Sequence, residues 1–137
     1  MKNEEFKLPH SHGETGNINE MENTLSRSGC FERVTDIFSQ VSDPNRLKIF
    51  WLLCHYEECV INISAIMHMS SPAVSHHLKT LKSSGLITSR RDGKEVYYKA
   101  ADTPVCHMLL SATEELMEAS CPIHGQKGHT SCSVCPG

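Results

Sequence analysis

The sequence predicts a mainly α-helical fold that carries one small β-hairpin. Apolar residues recur at helical spacing in several segments that begin with good N-cap residues. One turn dipeptide, Asp92-Gly93, lies between two β-prone runs and predicts the hairpin. The length of 137 residues suits one compact domain with flexible ends. We therefore predict a disordered N-terminal arm over residues 1–23, a folded domain over 24–119 and a flexible Cys/His-rich tail over 120–137.

Five helices are predicted in the folded domain. The first covers residues 24–41, where apolar side chains recur every three or four positions. The second begins at Asp43, because aspartate is a good N-cap and a proline follows it. Two short helices come next after a tight connection, and Ser71 is predicted to cap the second of them. The last helix begins near Thr103, after the hairpin.

Composition excludes several classes of protein. No apolar run approaches the roughly 20 residues that a membrane-spanning helix needs. The N-terminus has no apolar stretch like that of a signal peptide. We therefore expect a soluble, cytoplasmic protein without a membrane partner. In a reducing compartment, its seven cysteines favour free thiols, metal ligands or redox sensors over a disulfide scaffold.

The basic residues are concentrated in one segment. From Ser75 to Lys99 the chain carries six basic and two acidic side chains, a net charge of +4, although the whole chain has a net charge of −3. A local basic surface of this kind is what contact with a phosphate backbone requires. The alternative is a solvated helix and turn without a ligand.

Two short helices that are joined tightly and followed by a basic hairpin form a winged helix-turn-helix. Its second helix, here called the recognition helix, is thin enough to enter the major groove of double-stranded DNA. We predict that its short polar side chains reach base edges and that its lysines hold phosphates, while the hairpin contacts the backbone or the minor groove. These side chains are Ser75, His76 and Thr80; Lys79 and Lys82; and Arg90, Arg91 and Lys94.

Three stretches carry a family resemblance. SDPNRLKIFWLL, SSPAVSHHLKTLKSSGLI and RRDGKEVYYKAAD resemble the bacterial ArsR/SmtB family of metal-responsive repressors, over roughly residues 30–119. The resemblance implies a homodimer built from the first and last helices of the domain. That dimer would repress a palindromic operator until an inducer releases it.

The resemblance also implies a ligand site on the helix before the recognition helix. Relatives there have ELCVCDLA or ELCVGDLA, and this chain has EECVINIS. Cys59 matches the first cysteine, whereas Ile61 replaces a second cysteine and Asn62 replaces an aspartate. The other protomer's N-terminal arm would then complete the site, with His10, His12 and Cys30 as candidates. Alternatively, Cys59 is only a small half-buried residue.

A second family site lies on the last helix. The matching positions are Asp102, Pro104, Glu115 and Glu118. Because proline cannot be a side-chain ligand, the usual site is not expected here. Cys106 and His107 would supply a variant, unless Cys106 belongs to the core.

The C-terminal tail has the chelate spacing of half a zinc site in Cys132-x-x-Cys135, which Cys121, His124 or His129 would complete. Soft thiolates favour Zn(II), Cd(II), Pb(II), Cu(I) or As(III). We therefore predict a sensing arm; the alternative is an exposed end without a role.

Two other functions start from the same cysteines. The repressor would sense oxidants or reactive sulfur if Cys54, Cys59, Cys106 or Cys121 formed a reversible disulfide. An enzyme is not expected, because the Cys-x-x-Cys motif lacks the βαβ setting of thiol–disulfide reductases.

Overall fold

A computed structural model describes residues 7–10, 12–13 and 16–121. The chain divides into two compact units, Met1–Phe38 and Ser39–Gly137. No helix in this described part of the chain is both long enough and apolar enough to cross a membrane.

The first unit contains two helices in place of the single helix predicted over residues 24–41. Helix α1 spans Ile18–Leu25 and α2 spans Cys30–Gln40, with the last two residues of α2 in the second unit. Gly29 has a φ of +80° and separates them, since glycine adopts this backbone conformation without steric cost. Helix α1 also crosses the boundary predicted at residue 23, so the division into arm, domain and tail stays a prediction.

The second unit contains four helices and three strands. In chain order they are α3 Pro44–His55, β1 Glu58–Cys59, α4 Val60–Met67, α5 Ser71–Ser83, β2 Ile87–Asp92, β3 Glu95–Ala100 and α6 Pro104–Ser120. The strands form one antiparallel sheet in the order β1-β3-β2. This arrangement confirms the predicted winged helix-turn-helix, with α5 as the recognition helix. The β2–β3 hairpin, residues 87–100, is the wing.

The start of α3 is fixed by local hydrogen bonds. The Asp43 carboxylate accepts a hydrogen bond from the Arg46 backbone N–H at 2.9 Å, so the predicted N-cap is confirmed. The Arg46 side chain donates to the backbone carbonyls of Ser39, at 3.0 Å, and of Gln40. These bonds hold the end of α2 against the start of α3.

A tight turn connects α4 to α5. His68 ends α4 in the left-handed conformation, with a φ of 53°. Ser70 then caps α5 by accepting a hydrogen bond from the Ala73 N–H at 3.3 Å. The prediction that Ser71 is the cap was therefore wrong by one residue. Both serines are good caps, and the length of the turn decides between them.

The core of this unit lies between α3, α4, α5 and β2. Its fully buried side chains are Ile49, Phe50, Ile63, Val74, Leu78, Leu81 and Ile87. The recognition helix contributes three of them, at a spacing of three or four residues, which places them on one face. The packing of that face fixes the orientation of α5.

Replacement of one of these residues should destabilise the domain. Leu81 has no exposed side-chain surface. Leu81→Ala is therefore expected to lower the free energy of unfolding by about 2–5 kcal/mol, through lost burial and the cavity left behind. Urea denaturation followed by circular dichroism measures this loss. The matched control is Ile61→Ala, because Ile61 is 65% exposed; its loss should stay below about 1 kcal/mol. Equal losses in the two variants would contradict this account of the core.

Candidate nucleic-acid interface and cysteine sites

The recognition helix presents a polar face opposite its buried one. Four of the five side chains predicted to contact DNA are exposed there: Ser75, His76, Lys79 and Lys82. Thr80 is half-buried, and its hydroxyl donates to the His76 carbonyl at 3.2 Å. The face thus combines two cations with short polar groups, the types of side chain that contact phosphates and base edges.

An open groove of about 410 Å³ lies along this face. Its lining is Gln40, His76, Lys79, Thr80, Ser83 and Ser84. The lining offers hydrogen-bond donors and one cation, without a carboxylate, as an anionic backbone requires. Sequence reasoning missed three of these residues. Ser83 follows Lys79 by one helical turn, a signal that was available, but Gln40 lies on α2 and only the tertiary structure brings it here.

The wing ends in a two-residue loop. Asp92 pairs with Glu95, so Gly93 and Lys94 form the turn. Gly93 has a φ of +61° at the first central position, where a type II′ turn needs glycine. Arg91 and Lys94 are exposed near this tip, and the Arg91 Nε donates to the Gly93 carbonyl at 3.3 Å. Both cations are therefore accessible to a phosphate backbone.

A contact from the recognition helix supports the base of the wing. The Lys82 ammonium group donates to the Ser89 hydroxyl at 2.6 Å. Lys82 thus joins α5 to β2 while its charge stays at the exposed surface.

Arg90 has a different environment from the other predicted DNA contacts. Its Nη2 and Nε atoms donate to one carboxylate oxygen of Glu57 at 2.5 and 2.9 Å. This hydrogen bonding lowers the pKa of Glu57 and raises the pKa of Arg90, so both groups are charged at neutral pH. The predicted DNA contact of Arg90 therefore competes with an intramolecular ion pair at the protein surface.

His77 lies on the recognition helix but faces inward. Its Nε2 atom is 3.9 Å from an Asp43 carboxylate oxygen, and its Nδ1 atom is buried without a hydrogen-bond partner. The pKa of Asp43 is lowered, first by the hydrogen bond from the Arg46 N–H and to a smaller degree by His77. His77 therefore belongs to the contact between α5 and the start of α3.

The predicted metal-binding residues lie in different parts of the chain. Cys59 is 8% exposed, occupies the N-cap position of α4, and pairs with Tyr97 of β3. Cys30 is half-buried in the first unit, and Cys121 is buried just after α6. The tail residues Cys132, Cys135, His124 and His129 lie outside the described residues.

The side chains next to Cys59 are not arranged as ligands for an ion. The Asn62 amide donates to a Glu58 carboxylate oxygen at 2.8 Å, and Ile61 points into solvent. Within residues 7–10, 12–13 and 16–121, no three His, Cys, Asp or Glu side chains are grouped so as to hold an ion. The described residues therefore do not fit a complete metal site, and the predicted ligand set stays a prediction.

The positions that match the second family site lie at the start of α6 and along it. Pro104 occupies the first turn of the helix. His107 Nε2 lies 2.7 Å from an Asp102 carboxylate oxygen, and both groups are exposed. Glu114, which sequence reasoning missed, accepts a hydrogen bond from the Trp51 indole at 3.2 Å and lies 3.2 Å from His55 Nε2.

Of two further cysteines, Cys106 lies in the core and Cys54 is half-buried. The Cys106 thiol is 3% exposed and donates to the Leu86 carbonyl at 3.3 Å. Burial raises the pKa of Cys54 to about 12, and nearby Cys106 and Glu114 add to that shift. Because the thiolate is the reactive form, Cys54 is a poor nucleophile at neutral pH.

Comparison with known proteins places this geometry in a family. Residues 43–89 match the family described as bacterial regulatory protein, arsR family. A Synechocystis protein described as a transcriptional repressor SmtB homolog is 36% identical over 88 residues, which are 64% of this chain and 67% of that protein. The chain belongs to the arsR family. Its members are bacterial regulatory proteins, so this ArsR-family chain is a DNA-binding transcription regulator.

One further relative supports the placement, and a solved structure shows the same fold. The Listeria innocua cadmium resistance transcriptional regulatory protein CadC is 40% identical over 77 residues, which are 56% of this chain and 65% of that protein. The chain thus spans about two thirds of the length of these relatives. A homodimeric winged helix-turn-helix DNA-binding domain from Mycobacterium bovis, solved by solution NMR, superposes with a TM-score of 0.61 at 24% identity; the match covers 80% of this chain and 94% of that one.

Arg91, one of the two exposed cations at the tip of the wing, yields a prediction for DNA binding by this ArsR-family protein. Arg91→Ala should weaken binding to all sequences alike, because a phosphate contact carries no sequence information. The slope of log K against log salt concentration should become shallower by about 0.9. Fluorescence anisotropy with an operator duplex selected from a random pool measures both quantities.

The matched control is Lys48→Ala, which removes an exposed cation of α3 outside the basic segment. It should leave the slope unchanged. An unchanged slope for Arg91→Ala as well would remove the tip of the wing from the interface.

The raised pKa of Cys54 yields a second prediction. At pH 8, a thiol of pKa about 12 is ionised in only about one molecule in ten thousand. Iodoacetamide should therefore modify Cys54 at least about 100-fold more slowly in the folded protein than in guanidinium chloride. Peptide mass spectrometry at timed intervals follows the reaction. Equal rates in the folded and unfolded protein would show that Cys54 is reactive.

Proposed function

We propose that this protein is a homodimeric transcriptional repressor that a soft metal or metalloid ion releases from its operator. Zn(II), Cd(II), Pb(II), Cu(I) and As(III) are the candidate inducers, because the available ligands are mainly thiolates. The names of its relatives support the proposal, since they describe a repressor and a cadmium resistance regulator.

One observation carries the sensing part of the proposal. Cys59 lies at the N-cap of α4, and α4 packs against the recognition helix after a short turn. An ion bound to this thiol would bear directly on the first helix of the helix-turn-helix. The further ligands would come from Cys30, His124, Cys132 and Cys135, and from Cys121 once its disulfide is reduced. In this proposal the start of α2 and the tail close on the ion.

Exposed apolar side chains support dimer formation. Phe31, Val34 and Phe38 on α2 and Met108 and Leu116 on α6 are large and exposed in the single chain. Such side chains mark interaction surfaces when several share a helix. Each protomer of the dimer would offer one recognition helix, which suits a palindromic operator. A cytoplasmic location, where the operator lies, completes the proposal.

Linkage provides the mechanism of release. If the ion binds the DNA-incompetent dimer more tightly than the competent one, DNA must weaken ion binding by the same factor. A coupling of about 1–3 kcal/mol is typical of allosteric proteins. The two dimer arrangements would differ in the spacing of their recognition helices, and ion binding would favour the wrong spacing for the operator.

Titration of ions into the dimer–operator complex tests the proposal. Each of the five candidate ions is added anaerobically to the full-length protein on the selected duplex. At least one should release the DNA, with a loss of affinity of about tenfold or more. If none does, the metal-sensing proposal fails.

A pair of cysteine variants locates the sensing group. Cys59→Ser should abolish release by the active ion while it leaves DNA affinity unchanged, because serine retains the N-cap but is a weak ligand for soft ions. Cys54→Ser is the matched control, and it should respond as the wild type does. A wild-type response in both variants would exclude Cys59.

A second candidate keeps the repressor but changes its signal to oxidants or reactive sulfur. The observation in its favour is that Cys121 is disulfide-bonded, whereas Cys30, Cys54, Cys59 and Cys106 carry free thiols. The burial of Cys54 and Cys106 does not favour either as the reactive thiol. Mass spectrometry of polysulfide-treated protein tests this candidate, and an absence of defined reversible adducts would exclude it.

A further inference from the structure

The ion pair between Glu57 and Arg90 joins the wing to a different part of the fold. Glu57 lies just before β1, and Arg90 lies in the middle of β2, 33 positions later in the sequence. Two nitrogen atoms of the guanidinium group donate to one oxygen of Glu57. Hydrogen bonds between two charged groups are among the stronger ones in proteins. The pair therefore spans the full width of the three-stranded sheet, because β3 lies between the two outer strands.

Other contacts hold the Arg90 side chain in the same place. Its guanidinium carbon lies 4.9 Å from the centre of the Tyr97 ring, which favours a cation over the ring face. The Asp92 carboxylate lies 3.7 Å from Nη1. Three groups of the protein thus contact this cation, two of them carboxylates, while 53% of its side chain stays exposed. Its positive charge is compensated before any DNA phosphate approaches.

The register of the sheet shows how the Glu57–Arg90 ion pair connects the wing to β1. Tyr97 of β3 is paired with Cys59 on one side and with Arg90 on the other. Strand β1 has only two residues, so its main-chain bonds to β3 are few. The side-chain bond from Glu57 to Arg90 adds a second connection across the sheet. The base of the wing is also held by the packing of β2 and β3 against α5 and α3, whereas the tether acts nearer the middle of β2.

We propose that Arg90 is a positioning residue, which ties the wing to β1 through Glu57, and not a phosphate contact. The proposal rests on the proposed DNA-binding function and assigns the DNA contacts of the wing to Arg91 and Lys94. The tether holds the tip of the wing at the angle that the operator requires. Strand β1, which carries Cys59, is the anchor.

Removal of the negative charge of Glu57 distinguishes a phosphate contact from a positioning role for Arg90, because the two roles predict opposite changes in DNA affinity. If Arg90 contacted a phosphate, Glu57→Gln would free its charge and tighten DNA binding. If Arg90 positions the wing, Glu57→Gln should weaken DNA binding about three- to tenfold, because the wing is then no longer held at the angle that the operator requires. The slope of log K against log salt concentration should not become shallower, because the cations at the tip remain. Glu95→Gln is the matched control, since it removes an exposed acidic charge of the wing that forms no part of the tether; it should bind DNA equally well or more tightly.

An exchange of the two charges gives a second, independent measurement. Arg90→Glu alone should weaken binding strongly, because two carboxylates then face each other. Combination with Glu57→Arg should restore affinity to within about threefold of wild type, because the pair is rebuilt in reverse. A phosphate contact would not be rescued in this way, since the new glutamate would face the DNA. Tighter binding of Glu57→Gln, or a failure of the double variant to recover while its fold is intact by circular dichroism, would overturn the proposal.

Hydrogen exchange separates this proposal from the proposed function. In the free protein, Glu57→Gln should speed amide exchange in residues 88–99 while α3 and α5 keep their protection. This measurement needs no DNA. If the wild type bound no DNA, the proposed function would fail, whereas the tether would still be supported by faster exchange. Unchanged exchange of the wing would overturn the tether itself.

Discussion

The burial of one face of α5 is the constraint on which the candidate DNA-binding surface depends. Val74, Leu78 and Leu81 pack against α3, α4 and β2, and each such side chain contributes about 1.5–3 kcal/mol by leaving water. Because a helix is rigid, fixing three positions on one face fixes the direction of all the others. Ser75, His76, Lys79 and Lys82 are exposed as a result. The capping bonds at Ser70 and Asp43 determine where α5 and α3 begin.

The contacts of individual charged side chains say more about this protein than its net charge does. The chain is acidic overall, yet the segment from Ser75 to Lys99 is basic. Within that segment, the cations differ in their contacts with the rest of the protein. Arg91 and Lys94 are exposed at the tip of the wing, whereas Arg90 is bound by Glu57. Neighbouring arginines in one strand thus differ, because alternate residues point to opposite faces of a sheet.

Burial also divides the cysteines. Cys106 contacts a backbone carbonyl in the core, and the thiol of Cys54 has a pKa raised to about 12 by burial. Cys59 stands apart, because it joins a strand to the first helix of the helix-turn-helix. This position, rather than the number of cysteines, makes it a candidate for the sensing of ions. The proposed tether begins two residues earlier, at Glu57, so the proposed sensing residue and the proposed tether lie in one short segment of chain.

The sequence by itself determined the elements that local chemistry specifies. Helical periodicity placed α3, α5 and α6, Asp43 and Thr103 marked where α3 and α6 begin, and Asp92-Gly93 marked the hairpin. The predictions failed where the local sequence allowed two interpretations. Gly29 splits the first predicted helix, and Ser70 rather than Ser71 caps α5. The basic segment and the family resemblance likewise predicted which face of the domain contacts DNA, and this stays a prediction. Only the tertiary structure showed that Gln40 joins the groove beside α5 and that Glu57 binds Arg90, because these contacts link residues that are distant in sequence. Periodicity reports which face of an element is buried, but the partner of an individual side chain depends on how the elements pack together.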